Sequence, residues 1–266
     1  DQVSDSASVF SFASIPGSSD GVYSALQSGG RGYVMKITDD TFEELFFAPL
    51  TSSPVRSIAI DISNPNRIYA GAGKELYVSE NGGETWRILY IFRKDVAQIV
   101  VDSHMAGFSL VSTKDGSISR SFDYGETWED VSAGFSKFKG SRKNQRLYMQ
   151  NLTGVFYMTS SHGLLQSLDN GAAWEEISLV VPPESLPIIG FAAHPAKPNT
   201  LFVSAANQLY KSEDGGRTWK GELFSGKGAI TVIAFYPDSP YTMFLGFSAP
   251  KQSSFSNQSL SSLLLK

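Results

Sequence analysis

Along most of this 266-residue chain, short runs of aliphatic and aromatic residues alternate with turn punctuation, and no run has the three-to-four spacing of an amphipathic helix. One stretch shows the grammar: VRSIAIDISNPNRIYAGAGKELYVSENGGETWRIL, residues 55–89. The run from Val55 to Ile62 is β-branched and aliphatic, and SNPN then breaks it, because Pro65 has no amide to donate and Asn favours turns. RIYAGAG, ELYVS and TWRILYI follow as three more short strands. The pattern predicts four strands per unit. It recurs in IIGFAAHPAKPNTLFVSAANQLYKSEDGGRTW and, less completely, in ITVIAFYPDSPYTMFLGF. Six units are expected, beginning near Val9, Val55, Val96, Leu147, Ile188 and Ile230, with a seventh only if the chain continues. The first has a shortened hairpin with Phe42 in the place of a tryptophan.

Between the third and fourth strands lies a motif of form Ser-x-Asp-x-Gly-x-Thr-Trp. It occurs as SENGGETW (Ser79, Asn81, Gly83, Trp86), SFDYGETW (Ser121, Asp123, Gly125, Trp128), SLDNGAAW (Ser167, Asp169, Gly171, Trp174) and SEDGGRTW (Ser212, Asp214, Gly216, Trp219). The copies start 42, 46 and 45 residues apart, at Ser79, Ser121, Ser167 and Ser212, a period typical of four-stranded propeller blades. All four tryptophans of the protein close a copy. A device repeated so regularly is architectural. Ser and Asp side chains can accept from backbone amides of their own hairpin, Gly permits a left-handed turn, and Trp packs between sheets. Asn81 in one copy and Ala173 in another are substitutions that a metal or catalytic site tolerates poorly.

The repeated box resembles the Asp-box, or BNR repeat, family of β-propellers, which includes sialidases, xyloglucanases, sortilin-type receptors and the photosystem II assembly and stability factor. The spacing in HPAKPNTLFVS and SNPNRIYAG is most similar to the xyloglucanase-like and photosystem-factor-like members. The resemblance implies an all-β propeller of four-stranded antiparallel blades, with residues 1–8 a polar tether and 9–266 a single domain. It also implies that the boxes lie on the face away from the ligand site. Ser14-Ile15-Pro16 stands where a sialidase would have Arg-Ile-Pro, which argues against that activity.

Composition narrows the chemistry. There is no cysteine, hence no disulfide or thiolate site, and the three histidines (His104, His162, His194) fall in different units without ligand spacing, so neither a metal nor another cofactor is expected. SGGRG has no following Lys-Ser/Thr or helix and is no phosphate loop. Asp95 and Asp115 are the acids a glycosidase reading would draw on, while Asp61, Asp102 and His194 fall at equivalent strand ends and suit turn capping. Asn151-Leu-Thr and Asn257-Gln-Ser match glycosylation sequons. No apolar run is long enough to span a membrane, and the polar start DQVSDSAS, with Asp rather than Met at position 1, predicts a removed signal or anchor and an extracytoplasmic location.

Net charge is −4, yet the cations are expected on one face. The segments opposite the boxes carry Arg31, Arg56, Lys74, Arg93, Lys94, Lys114, Lys227 and Lys251. The longest, SKFKGSRKNQR, adds Lys137, Lys139, Arg142, Lys143 and Arg146 without an acid. The box hairpins carry Glu80, Glu84, Asp123, Glu126, Asp169, Glu213 and Asp214. Of the cations, Arg31, Arg56, Lys94, Lys114, Arg142, Lys143 and Arg146 are the binding candidates. The sequence therefore favours a non-catalytic module that docks a protein or an anionic glycan surface, and no nucleic acid, over a carbohydrate-active enzyme of the same fold. It leaves the oligomeric state open.

Overall fold

The computed structural model describes residues 7–18, 21–39, 41–47, 54–179, 188, 190–205, 207–224, 228–236 and 239–248. Lys227, Lys251, Asn257 and the C-terminal SSFSNQSLSSLLLK lie outside these. The described residues form twenty-two strands in six antiparallel sheets and no α-helix. Sheet 1 comprises β1 (Ser8–Ser14), β2 (Val22–Ser28), β3 (Arg31–Thr38) and β4 (Thr41–Phe47). Sheet 2 comprises β5 (Val55–Ile60), β6 (Ile68–Ala72), β7 (Glu75–Ser79) and β8 (Arg87–Ile91). Sheet 3 is β9 (Val96–Val101), β10 (Ser109–Thr113), β11 (Ile118–Ser121) and β12 (Glu129–Asp130). Sheet 4 is β13 (Arg146–Met149), β14 (Phe156–Thr159), β15 (Leu164–Ser167) and β16 (Glu175–Ile177). Sheet 5 is β17 (Gly190–Ala193), β18 (Leu201–Ala205), β19 (Gln208–Ser212) and β20 (Lys220–Leu223), and sheet 6 is the pair β21 (Ile230–Tyr236) and β22 (Ser239–Phe247). In every four-stranded sheet each strand pairs with its neighbour in sequence, the simple up-and-down order that the unit pattern predicts.

Apolar clusters lie between consecutive sheets. Tyr23, Ala25 and Val34 of sheet 1 meet Val55, Ile58 and Ile68 of sheet 2, and Leu76 and Val78 of sheet 2 meet Val96, Ile99 and Val111 of sheet 3. Leu110 and Ile118 of sheet 3 meet Leu147, Met158 and Leu165 of sheet 4, and the same relation joins sheets 4 and 5 and sheets 5 and 6. Middle strands are thus covered on both faces. That is why β6 (IYAGA) and β10 (SLVST) are buried at every position, while the outermost β20 (KGEL) is exposed at every position. The innermost strands are also stitched across the sheets by side chains. Ser11 Oγ accepts from Ile58 N (3.4 Å), Ser57 Oγ from Ile99 N (2.9 Å), and the Gln98 amide both accepts from Leu147 N (2.8 Å) and donates to Leu147 O (2.6 Å). Ser204 Oγ donates to Ile230 O (2.8 Å). Short polar side chains here satisfy backbone groups that no sheet partner reaches.

Two expectations need correction. Ser8 is already in β1, so the tether is shorter at its C-terminal end than residues 1–8, and the rest of it, residues 1–6, is outside the described residues. Phe42 does not replace a box tryptophan: Thr38 pairs directly with Thr41, Asp39 is at φ 50°, and Phe42, opposite Ile37, is 59% exposed. The contact with the next sheet comes instead from Leu45 and Phe46, the latter 5.2 Å from the Trp86 ring.

Candidate functional site

The two ends of the sheets are distinguished by their loop contacts. At one end the turn after each first strand touches the box: Gly82 N donates to Asn66 O, Tyr124 N to Gly107 O and Gly215 N to Asn199 O, each at 2.9 Å. At the other end, the turn between second and third strands meets the connection between sheets, with Val96 N donating to Gly73 O, Lys114 N to Asp95 O and Ser161 N to Lys143 O.

The boxes are self-satisfied. In each, the Ser Oγ accepts from the Gly amide four residues on (2.8–2.9 Å) and donates to the Asp or Asn Oδ1. That Oδ1 accepts from the amide of the Thr or Ala position at 2.8–2.9 Å. Only an acceptor is needed, so Asn81 suffices, and Ala173 loses one hydroxyl contact while keeping the amide bond. Residues Gly82, Tyr124, Asn170 and Gly215, and the following Gly83, Gly125, Gly171 and Gly216, are all left-handed. A Cβ on the second glycine would lie 2.5 Å from Leu45, 2.7 Å from Leu89, 3.1 Å from Leu110 or 2.3 Å from Ile177, each in the preceding sheet. Each Trp Nε1 donates to its own box Gly carbonyl; Trp86 and Trp219 also reach Leu45 O and Ser178 O of the preceding sheet. Trp174 is 1% exposed, whereas Trp86, Trp128 and Trp219 are half-buried.

Carboxyl pKa values follow these bonds. The Thr127 hydroxyl and amide hold Asp123 below the usual carboxylate range, as Thr218 and Ser212 hold Asp214. Burial pushes Asp169 up, but the Ala173 amide and Ser167 outweigh it and the net shift is downward.

At the same end, Asp61, Asp102 and His194 cap turns, as expected of them. Asp61 Oδ1 accepts from Ser63 N, Asp102 Oδ1 from His104 N and His194 Nδ1 from Ala196 N. Burial, then Lys197 and Lys211, lowers the His194 pKa, in keeping with an accepting nitrogen. Sequence reasoning missed the fourth member, Gln150, whose Oε1 accepts from Leu152 N; only the register reveals its equivalence. Cations here are matched by acids: Arg67 with Glu80, Arg87 with Glu126, Arg120 with Glu129 and Lys211 with Glu213. Of the seven box acids, Glu80, Glu126 and Glu213 are thus paired with cations, while Glu84, Asp123, Asp169 and Asp214 are in no ion pair among the described residues.

All seven candidate cations map to the opposite end. Arg31 and Arg56 are strand residues, the first of β3 and second of β5, instead of loop residues, and Lys94 is exposed between β8 and β9. Three of the seven, Arg56, Lys114 and Arg146, from three different sheets, line one pocket of about 330 Å³ together with Phe10, Ser57, Gln98, Gln145 and Tyr148. It opens among the innermost strands β1, β5, β9 and β13. Arg56 lies over the Phe10 ring at 4.9 Å, and its Nε is shielded from solvent without an acceptor among the described residues. Gln145 Nε2 donates to Gly116 O and Ser141 O, while its Oε1 is buried without a donor. Lys114 is paired with Asp95 at 2.7 Å.

Arg142 and Lys143 stand beside the pocket, on the long connection between β12 and β13. The connection is anchored: Phe135 is fully buried, Phe138 packs on His162 (5.0 Å), Asn144 bonds Ser161 and Arg142 bonds Ser117 Oγ (3.0 Å). Asp115, for its part, is held by Thr113 Oγ1 and Ser117 N; burial raises its pKa, but these bonds and Arg142 bring it below the carboxylate range. No carboxylate is among the pocket's described lining residues. No cluster of three potential metal ligands exists among the described residues, and none of their helices is long and apolar enough to cross a membrane.

Known proteins share this architecture. The family described as Sortilin-Vps10 (sortilin, neurotensin receptor 3) matches residues 116–223. The xyloglucanase Xgh74A of Acetivibrio thermocellus is 26% identical over 204 residues, covering 66% of this chain but only 20% of its own length. Among solved structures, the GH74 enzyme of Niastella koreensis superposes with a TM-score of 0.71 at 18% identity, over 91% of this chain and 44% of that one. YCF48 bound to D1 peptide gives 0.51 at 16% identity, over 94% and 92%. These likenesses agree with the repeated boxes and the up-and-down four-stranded sheets: the chain has a β-propeller fold and carries four Asp-box hairpins.

Proposed function

We propose that the protein is a non-catalytic, extracytoplasmic binding module that docks an acidic partner protein at the end opposite its boxes. The observation that carries this reading is the convergence of Arg56, Lys114 and Arg146 from three sheets on one pocket, flanked by Arg142 and Lys143 on an anchored connection. A fixed array of cations attracts an acidic surface over distance and pre-sets its orientation. That one propeller of similar fold, YCF48, is seen with a peptide of another protein supports the class of function.

A glycoside hydrolase is the second reading, favoured by the 204-residue likeness to Xgh74A. It needs two carboxyl groups facing a bound sugar. Asp95 is engaged by Lys114 and Asp115 by Thr113, and neither lines the pocket. The test is to recover a partner with the folded domain as bait, then measure association kinetics against salt while assaying a panel of soluble glycans. Salt-sensitive association without hydrolysis supports docking; glycan turnover with salt-independent association replaces it with the enzyme.

A further inference from the structure

The four boxes share their bonding residues but not the positions between them. The residue after each box serine takes no part in the Ser–Asp–Gly hydrogen bonds, and along the chain it reads Glu80, Phe122, Leu168 and Glu213. In the first and last copies the position is charged, as an exposed turn residue ordinarily is. In the two middle copies it is apolar and left in solvent, with Phe122 51% and Leu168 71% exposed. The hairpin does not require this, because glutamate serves in the other copies.

The two side chains belong to one surface. Arg120 lies over the Phe122 ring at 5.2 Å and donates through Nη1 to the carbonyl of Asp169 (3.3 Å), the residue beside Leu168. Tyr124, 39% exposed, donates its amide to Gly107 O, and Met105, 40% exposed, lies on that same turn. An apolar strip thus crosses sheets 3 and 4 at the box end, the kind of surface that marks a site of association. Its charge is set by acids. Asp123 stands between Phe122 and Tyr124, Asp169 follows Leu168, and both are in no ion pair among the described residues. The arginines of the strip, Arg67 over Tyr124 (4.1 Å) and Arg120 over Phe122, are already paired with Glu80 and Glu129.

We propose that this strip docks a basic amphipathic segment of a partner protein, whose apolar side chains cover Phe122 and Leu168 while its Lys or Arg side chains reach Asp123 and Asp169. Apolar contact supplies the affinity, and the acids select the sign of the partner. The strip is opposite in position and in charge to the docking end described above, so one propeller holds two partners at once. The inference does not rest on that reading.

The test uses the intact protein and short synthetic peptides of equal length that alternate Leu with Lys, Leu with Glu, or Ser with Lys. Binding is followed by fluorescence anisotropy, and its place by NMR of the Phe122 ring and the Leu168 methyl groups. The Leu–Lys peptide is expected to bind about tenfold more tightly than either of the others and to shift both signals. Phe122→Gln with Leu168→Gln, a neutral form of the glutamate found in the first and last boxes, is expected to weaken it about tenfold. If that pair melts early, Leu168→Gln alone, at the more exposed position, is expected to weaken it about threefold. Asp123→Asn with Asp169→Asn keeps the Oδ1 bonds, as Asn81 does, and is expected to weaken the peptide about fivefold at low salt. Unmoved Phe122 and Leu168 signals, or equal affinity for the Leu–Glu peptide, overturn the proposal. Equal affinity for the Ser–Lys peptide overturns it too, by reducing the strip to a charged surface. Self-association in sedimentation that the paired Gln variant abolishes overturns it in favour of a contact between two copies of this chain.

Discussion

The two ends of this propeller are built from the same strands but follow opposite rules. At the box end the same solution appears four times, tolerates substitution, and leaves its polar groups paired within the hairpin. At the other end only backbone contacts repeat: Arg56, Lys114 and Arg146 occupy different positions in different sheets, and the pocket they line keeps a donor and an acceptor without partners among the described residues. Repetition with internal satisfaction is what a scaffold needs. Singular residues with unmet hydrogen bonds are what a ligand or partner can use.

The sharpest way to break the comparison is to show that a box residue is dispensable. Trp174 is 1% exposed and packs edge-on to Phe135 at 6.4 Å, so Trp174→Ala should cost about 3–5 kcal/mol, read from denaturant unfolding. Trp128 is only half-buried, and its alanine variant should lose less, about 2 kcal/mol. Equal losses would mean that depth between the sheets does not set the value of the box tryptophan.

Next in size is Gly216→Ala. The residue sits at φ 91°, and a Cβ would lie 2.3 Å from Ile177 Cγ2, so left-handed strain and overpacking together should cost about 2–4 kcal/mol. At Gly171, where the clash with Leu110 relaxes to 3.1 Å, the loss should be smaller, and melting temperatures of the two variants would rank them.

A smaller effect concerns acid. Hydrogen bonds lower the folded-state pKa of Asp123, Asp169 and Asp214, so their contribution is present above the unfolded value of about 3.9 and is lost as pH falls below it. Changing all three to Asn, the residue already present at position 81, should leave stability at neutral pH nearly unchanged and flatten its decline below about pH 4. A parallel decline in both proteins would place the acid sensitivity elsewhere.

The smallest effect on stability is expected where the effect on binding is largest. Arg142, Lys143 and Arg146 changed together to Ser should shift the melting temperature little, since all three are exposed. The same triple variant should slow association with a docked partner and weaken its salt dependence, measured by stopped flow at two ionic strengths. An unchanged rate and salt slope would reduce the connection to a solvated linker.

Fold and boxes were legible in the sequence because their physics is local. Ser79, Asn81 and Gly83, like their counterparts, make their bonds within five residues, so the motif carries its own explanation wherever it recurs. The assignment of Phe42 failed because a hairpin of two residues has no room for the box, and the exposed position of that ring depends on strand register. Turn capping by Asp61 and Asp102 could be read from their place at strand ends, but Gln150 does the same work with a different side chain and no sequence signature.

The sequence by itself thus determined the four-stranded unit, its period and the end of the sheets to which the seven candidate cations go, since up-and-down pairing sends alternate turns to opposite ends. Only the tertiary structure decided which cations meet. Arg56 and Arg146 are separated by two full units in sequence and share a pocket because β5, β9 and β13 stand side by side as innermost strands. It likewise decided that Lys114 is paired with Asp95 while Arg56 Nε has no acceptor among the described residues. Pairing of charges and burial of donors depend on distances of a few ångströms between sheets, and those distances are set by how the sheets pack rather than by any one strand.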